Sequence, residues 1–93
     1  MLLLPATLTA HEARDTLRMM TQAIKGQTED VVIDASSLVQ FDSSALSVLL
    51  ECQRQAHAWG RRFSLRDSPP KLTALAKLYG VDVLLMRSAG APA

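Results

Sequence analysis

Three small polar residues in a row, Asp42, Ser43 and Ser44, stand between an aromatic residue and a leucine-rich stretch. A serine beside a carboxylate raises the question of nucleophilic catalysis, which needs a base within hydrogen-bond reach of the hydroxyl. The two histidines are His11 and His57. On a helix that starts at the serines, His57 would lie roughly 20 Å from Ser43 at a rise of 1.5 Å per residue. The spacing therefore disfavours a hydrolase, and we predict no catalytic residue.

Metal and nucleotide chemistry lack their usual residue patterns. The chain has one cysteine, Cys52, and contains neither a C-x-x-C nor an H-x-x-x-H pair, so no ligand set for a metal is evident. A phosphate-binding G-x-x-x-x-G-K-[ST] loop is also missing from the sequence. We predict no metal and no cofactor, and we interpret the cysteine as a small buried hydrophobe.

The same polar triplet could instead serve a helix N-terminus. One residue that caps the helix, with neighbours that tolerate loop geometry, is the simplest interpretation. A hydroxyl at this position also faces free N–H groups, so a phosphate placed on it would be stabilised. Leu46 and Leu50 project outside the predicted core face of the helix. We therefore predict a partner-binding site that consists of Asp42, Ser43, Ser44, Leu46 and Leu50. Within this site, Ser43 is the predicted phosphoacceptor.

Composition narrows the class of protein. The 93 residues fit one small domain. A net charge of +1 and an aromatic content of 4% provide neither the positive field nor the stacking surface that nucleic-acid binding needs. No apolar run approaches the length of about 18 residues that spans a bilayer. We expect a cytoplasmic protein that binds no nucleic acid, does not insert into the membrane, and could reach the inner membrane only through a partner.

The elements around the triplet follow from periodicity and capping signals. A strand is predicted at residues 2–4, and Thr9 with Glu12 forms a capping-box pattern for a helix of about four turns. An inner strand is predicted at residues 31–35, which are apolar on both faces. The second helix is predicted from Ser44 to Trp59. Its expected core face consists of Ala45, Val48, Leu49, Cys52, Ala56 and Trp59.

The last third of the chain predicts a strand, a helix and a final strand. Residues 61–67 alternate in polarity, as an edge strand does. Ser68 is the expected N-cap of the third helix, with Pro69 in its first turn. "VDVLL" at 81–85 is interpreted as a strand, and residues 87–93 as a flexible tail. The buried stripe of the third helix is predicted to be Leu72, Leu75, Ala76 and Tyr79.

Strands and helices that alternate in this way indicate a small α/β domain. We predict one domain over residues 1–93, with its core at 2–85 and a mainly parallel central sheet of about four strands covered by helices. In such sheets the working site lies at the carboxyl ends of the strands. The loop that follows the strand at 31–35 and leads to Asp42 is at that edge.

At this point the sequence resembles a known family. "VVIDASSLVQFDSSALSVLLECQRQA" is similar to the central motif of STAS domains, the module of anti-sigma-factor antagonists and of sulfate-transporter tails. "LTALAKLYGVD" is similar to the last helix of MlaB-type proteins, the STAS subunits of an ABC transporter that moves phospholipid between bacterial membranes. The resemblance covers residues 2–85. Ser43 matches the family's Ser or Thr that follows an Asp.

The resemblance implies two non-enzymatic functions. In the first, the protein is a cytoplasmic accessory subunit that binds and regulates the ATPase of an Mla-type transporter, which maintains outer-membrane lipid asymmetry. In the second, it is an anti-sigma-factor antagonist that a partner kinase phosphorylates on Ser43. The similarity of the third helix favours the first.

Two departures from the family pattern stand out. Ala45 replaces a common glycine, and the N-terminus predicts one strand where many relatives begin with a hairpin. A single strand would leave a sheet edge that a partner, or a second copy in a weak homodimer, could cover.

Overall fold

The fold is described by a computed structural model, which gives the structure of residues 1–86. The predicted tail at 87–93 lies outside the described residues. The elements in chain order are β1 (Leu2–Leu3), β2 (Thr7–Leu8), α1 (Ala10–Gly26), β3 (Val31–Asp34), β4 (Gln40–Phe41), α2 (Ser44–Ala58), β5 (Phe63–Arg66), α3 (Pro70–Leu78) and α4 (Asp82–Met86).

The main sheet has three parallel strands in the order β1-β3-β5. Leu2 is paired with Ile33 and Val31 with Phe63. β3 has a strand on each side, and the side chains of Val31 and Ile33, which project from the same face, are fully buried in the core. The predictions of an inner strand at 31–35 and of an edge strand near 63–66 are confirmed.

A second, two-stranded parallel sheet is formed by β2 and β4, in which Thr7 is paired with Gln40. The sequence predicted one N-terminal strand, whereas residues 2–8 contribute one short strand to each sheet. Pro5 lies between them and lacks the N–H that a continuous ladder would need. The predicted count of about four strands in one sheet is therefore wrong, although the α/β class and the parallel pairing are confirmed.

The predicted final strand is also wrong, because residues 82–86 form the short helix α4. Gly80 has a φ of 72° and turns the chain at the end of α3. The N–H groups of Leu84 and Leu85 then both donate to the Val81 carbonyl, at 3.1 Å. This helical turn buries Leu85 completely. The "VDVLL" run is too short for its apolar pattern to separate a strand from one helical turn.

The capping box of α1 is confirmed. The Glu12 carboxylate accepts from the Thr9 N–H at 2.8 Å and from its hydroxyl at 2.6 Å, and the Thr9 hydroxyl accepts from the His11 N–H at 3.3 Å. These bonds satisfy donors that have no partner within the helix. Met20 and Ile24 then face the core, where α1 packs against α2.

Two aromatic side chains that were predicted in the core lie outside it. Trp59 is 54% exposed and Tyr79 is 57% exposed. Each is the residue after the last helical position, where the chain turns towards a glycine with positive φ and leaves the helical wheel. The Trp59 ring lies instead beside the Arg61 guanidinium, whose carbon is 5.8 Å from the ring centroid.

The start of α3 is one residue later than predicted. Pro69 occupies the N-cap position, and the first helical residue is Pro70. Ser68 therefore does not cap the helix, and its hydroxyl lies 3.0 Å from the Thr73 hydroxyl instead. Pro70 has no N–H group, so the first turn of α3 has one donor fewer for a side-chain cap to satisfy. This explains why the helix can begin at a proline. The predicted burial of Leu72 and Ala76 is confirmed.

The buried residues of both sheets and all four helices form one apolar core. The side chains that are essentially inaccessible include Leu8, Ile24, Ile33, Leu49, Cys52, Leu72 and Leu85. The predicted core positions of α2 at Ala45, Val48, Leu49, Cys52 and Ala56 are all buried.

Candidate partner-binding site

Asp42 links the N-termini of two helices. One carboxylate oxygen accepts from the Ser44 N–H at 2.8 Å, and the other accepts from the Ala10 N–H at 3.2 Å. The hydrogen bond from the Ser44 backbone is the main reason that the pKa of Asp42 lies below its ordinary value. The carboxylate therefore caps α2 and fixes the start of α1 beside it.

Ser43 occupies the N-cap position of α2, with φ −63° and ψ −15°. Its carbonyl accepts from the Leu46 N–H at 3.0 Å and from the Ser47 N–H at 3.3 Å. Its side chain is exposed and makes no capping hydrogen bond. Since Asp42 has taken the capping role, the Ser43 hydroxyl is left without a hydrogen-bond partner among residues 1–86.

Ser44 and Leu50 are half-buried at the rim of this site. Leu46, in contrast, is only 3% exposed, so the prediction that it projects into a docking surface is wrong. Leu46 is part of the apolar core that joins the helices and sheets. α4 packs against the same helix, and the Gln53 amide of α2 donates to the Leu84 carbonyl of α4.

The exposed face of α2 continues from Ser43 through residues that were not predicted. Ser47 is exposed one turn further along, and Arg54 is exposed two turns beyond that. Arg54 forms an ion pair with Glu51 on the same helix. A helical wheel centred on Ser43 rather than on the leucines would have identified Ser47.

The loop before β4 is held by a second aspartate. The Asp34 carboxylate, at the end of β3, accepts from the Ser36 N–H at 2.8 Å. This hydrogen bond is the main cause of the lowered pKa of Asp34. The Leu38 N–H donates to the Ala35 carbonyl at 3.1 Å and Leu38 is buried, so the loop returns to the protein before Asp42. The site is built at the carboxyl edge of the main sheet.

Within residues 1–86, no group of three or more His, Cys, Asp or Glu side chains is placed to hold a metal ion. Burial raises the pKa of the Cys52 thiol to about 12, so this thiol is neutral inside the core. No helix in the described part of the chain is both long and apolar enough to cross a membrane.

Comparison with known families agrees with the fold. The family described as "Mlab, STAS domain" matches residues 2–87, which is nearly the whole chain. The chain belongs to the MlaB-type STAS family. No curated protein matches the chain closely enough to count as a relative. Membership confirms the predicted family of this STAS domain, and it supports a non-catalytic protein that acts through protein partners.

Proposed function

We propose that this STAS domain is the accessory subunit that binds and regulates the ATPase of an Mla-type phospholipid ABC transporter, which maintains outer-membrane lipid asymmetry. The observation that carries the proposal is the free Ser43 hydroxyl at the exposed start of α2. Asp42 caps this helix end through its bond to the Ser44 N–H, so a partner can contact Ser43 without breaking a bond that stabilises the fold. The match to the MlaB-type family favours the transporter over other STAS pathways.

The contact surface consists of Asp42, Ser43, Ser44, Ser47 and Leu50. It joins polar groups at the positive end of a helix to one partly buried leucine. Interfaces of this kind combine a polar rim with a few apolar contacts. Leu46 supports the surface from below because it packs in the core beneath it.

Co-purification with the ATPase tests the proposal. The wild-type protein should bind the ATPase subunit of an Mla-type transporter, and Ser43→Arg should abolish binding because a long cation fills the exposed helix end. Thr28→Arg is the matched control, since Thr28 is exposed in the loop before β3, at the other end of the sheet. Both variants should keep the circular dichroism of the wild type. Binding by Ser43→Arg at wild-type strength would refute the assigned surface.

A phosphorylation-controlled antagonist of an anti-sigma kinase is the second candidate. It is favoured by the same hydroxyl, since a phosphate on Ser43 would lie at the N-terminus of α2 among favourable N–H dipoles. Incubation with the candidate kinase and ATP should then yield one phosphate per chain on Ser43, and none on Ser43→Ala, by mass spectrometry. An unmodified wild-type protein would remove this candidate and leave the transporter role standing.

A further inference from the structure

The solvent side of α1 carries three cations in a row. Arg14, Arg18 and Lys25 are exposed, and their spacing of four and seven residues places them within about 40° of one another on the helical wheel. The row extends about 16 Å along the helix axis, at a rise of 1.5 Å per residue. The depression that it borders is lined by Arg14, Leu17, Arg18, Thr21, Gln22 and Lys25.

No carboxylate forms an ion pair with this row among residues 1–86. The ion pair in this part of the chain joins Arg54 to Glu51 on α2. On α1 itself, Glu12 is bound within the capping box. Asp15 is outside the lining of the depression and is not paired with either arginine in the structure of residues 1–86. The three cationic groups are therefore available to an external anion.

Neutral donors lie between the cations. The Gln55 amide of α2 donates to the Thr21 hydroxyl at 3.0 Å, which leaves the proton of that hydroxyl for another acceptor. Gln22 is exposed beside it and carries an amide with two further donors. Phosphate oxygens accept from hydroxyl and amide groups as well as from cations. The face therefore presents both charge and hydrogen-bond donors to a phosphate.

The net charge of the chain conceals this face. Ten Lys and Arg against nine Asp and Glu sum to +1, and on that basis the sequence predicted that the protein could reach the membrane only through a partner. Charges more than about 10 Å apart are largely screened at 0.1 M salt. The local field of α1 is therefore set by its own row of cations, which the fold places on one side of the molecule.

We propose that this face of α1 binds the surface of an anionic membrane, where the phosphates of acidic phospholipids accept from its cations. The row is exposed and much longer than one phosphate group, so it fits a plane of many anions better than a single small anion. Leu17 is the single apolar residue of the lining and is half-buried. A protein partner is disfavoured, because the cores of protein interfaces are apolar and depleted of charge.

The contact is electrostatic and needs no insertion into the bilayer. It goes beyond the proposed binding of an ATPase and does not depend on it, since the face belongs to α1 and the isolated chain carries it whole. Basic residues close to an anionic membrane each strengthen binding about fivefold. Three of them give a weak, reversible contact that would hold α1 against the headgroups.

Sedimentation of sucrose-loaded vesicles with the isolated protein tests the proposal. Vesicles with equal parts of phosphatidylglycerol and phosphatidylcholine should bind the wild type, whereas phosphatidylcholine alone should not. The combined variant Arg14→Gln, Arg18→Gln and Lys25→Gln should lower the partition coefficient about one hundredfold. Glutamine forms helices about as well as arginine and lysine, so the fold should be kept. Raising the salt to about 1 M, where the screening length is about 3 Å, should release the wild type.

A matched variant controls for net charge. The combined change Arg66→Gln, Lys71→Gln and Lys77→Gln removes the same three charges from exposed positions of β5 and α3, and it should bind the anionic vesicles within about twofold of the wild type. Circular dichroism should be the same for all three proteins. Equal losses in the two variants would overturn the α1 face, because net charge alone would then explain binding.

Two other results would also overturn the proposal. One is a wild-type protein that does not sediment with the anionic vesicles, or that binds phosphatidylcholine equally well. The other is an α1 variant that keeps its vesicle binding but no longer co-purifies with the ATPase subunit, which would assign this face to the protein interface. Since vesicle binding and ATPase binding are measured separately, either one can fail while the other stands.

Discussion

At the scale of single residues, Asp42 and Ser43 divide two roles that the sequence could not separate. Both are residue types that cap helices. In the fold, Asp42 reaches two helix starts at once, with bonds to the Ser44 and Ala10 N–H groups. Ser43 is released from capping because its neighbour satisfies the nearest free donors. The stability of this region should therefore depend on Asp42, and partner binding on Ser43.

Asp42→Asn should lower the midpoint of thermal unfolding at pH 7, because the amide carries no negative charge towards the two helix ends. The pKa of Asp42 is below its ordinary value of 3.8 in the folded protein. The stabilisation by the carboxylate is therefore complete above pH 3.8 and is lost as the pH falls through the lower folded pKa.

Thermal melts of both proteins from pH 7 to pH 2 should show that their difference shrinks below pH 3.8. Ser43→Ala serves as the control, because its hydroxyl makes no capping bond and its melting point should stay close to that of the wild type throughout. A difference between wild type and Asp42→Asn that persists unchanged at pH 2 would contradict the role of the charge.

At the scale of elements, α4 packs against the helix that carries the site. The Gln53 amide of α2 donates to the Leu84 carbonyl of α4, while Ser43 and Ser47 are exposed and Leu50 is half-buried. α4 also lies against β5 and α3, so that it closes one side of the core. The short helix matters more to the site than its length suggests, because it limits the docking surface on one flank.

Leu85→Ala should destabilise the protein by about 2–5 kcal/mol, since a fully buried leucine would leave a cavity in the core. Its neighbour Leu84 is 53% exposed, so Leu84→Ala should cost less than about 1 kcal/mol. Urea denaturation followed by circular dichroism measures both. Similar losses for the two variants would contradict the burial of Leu85 and the exposure of Leu84 in α4.

Alanine substitutions of the glycines at two helix ends should change the free energy of unfolding in opposite directions. Gly80 has a φ of 72°, so Gly80→Ala should cost about 1 kcal/mol from backbone strain alone. Gly26 is the last residue of α1 and does not have a positive φ, and open space surrounds its Cα, so Gly26→Ala should stabilise by roughly 0.5 kcal/mol. Urea midpoints give both values. A stabilised Gly80→Ala variant would show that the turn before α4 is not as described.

At the scale of the whole molecule, a single core joins the two sheets and the four helices, so the described residues should unfold together. Cys52 lies at the centre of that core and is inaccessible. Its thiol has a pKa raised to about 12, against 9.0 as the ordinary value. It therefore stays protonated in the folded state at pH 8. As the pH rises from 9 towards 12, the thiol ionises in the unfolded state and not in the folded state, so the free energy of unfolding falls.

A thiol reagent at pH 8 should therefore label Cys52 only when the molecule unfolds. The labelled fraction after a short pulse should follow the same urea transition as circular dichroism, and Cys52→Ala should remain unlabelled at every urea concentration. Rapid labelling in the absence of urea would show that the core around α2 opens separately from the rest.

Elements whose signals are local could be predicted from the sequence. The capping box at Thr9 and Glu12, the apolar run at 31–35 and the helical period of α2 each lie within one segment of chain. Helix capping and side-chain periodicity are set by neighbours in sequence, so these elements and the α/β class were predicted correctly, as was the STAS resemblance.

Which side chains of those elements are exposed depends on how the elements pack against one another. Leu46 is buried in the core although it lies outside the predicted core face of its helix, and Trp59 is exposed because the helix ends one residue earlier. A groove at Lys71 and Leu75 exists because α3 faces a sheet whose strands come from residues 7–8 and 40–41. Periodicity within one segment predicted the middle of each buried face, whereas burial at the margins of a face and at helix ends depends on contacts between distant segments, which periodicity does not carry.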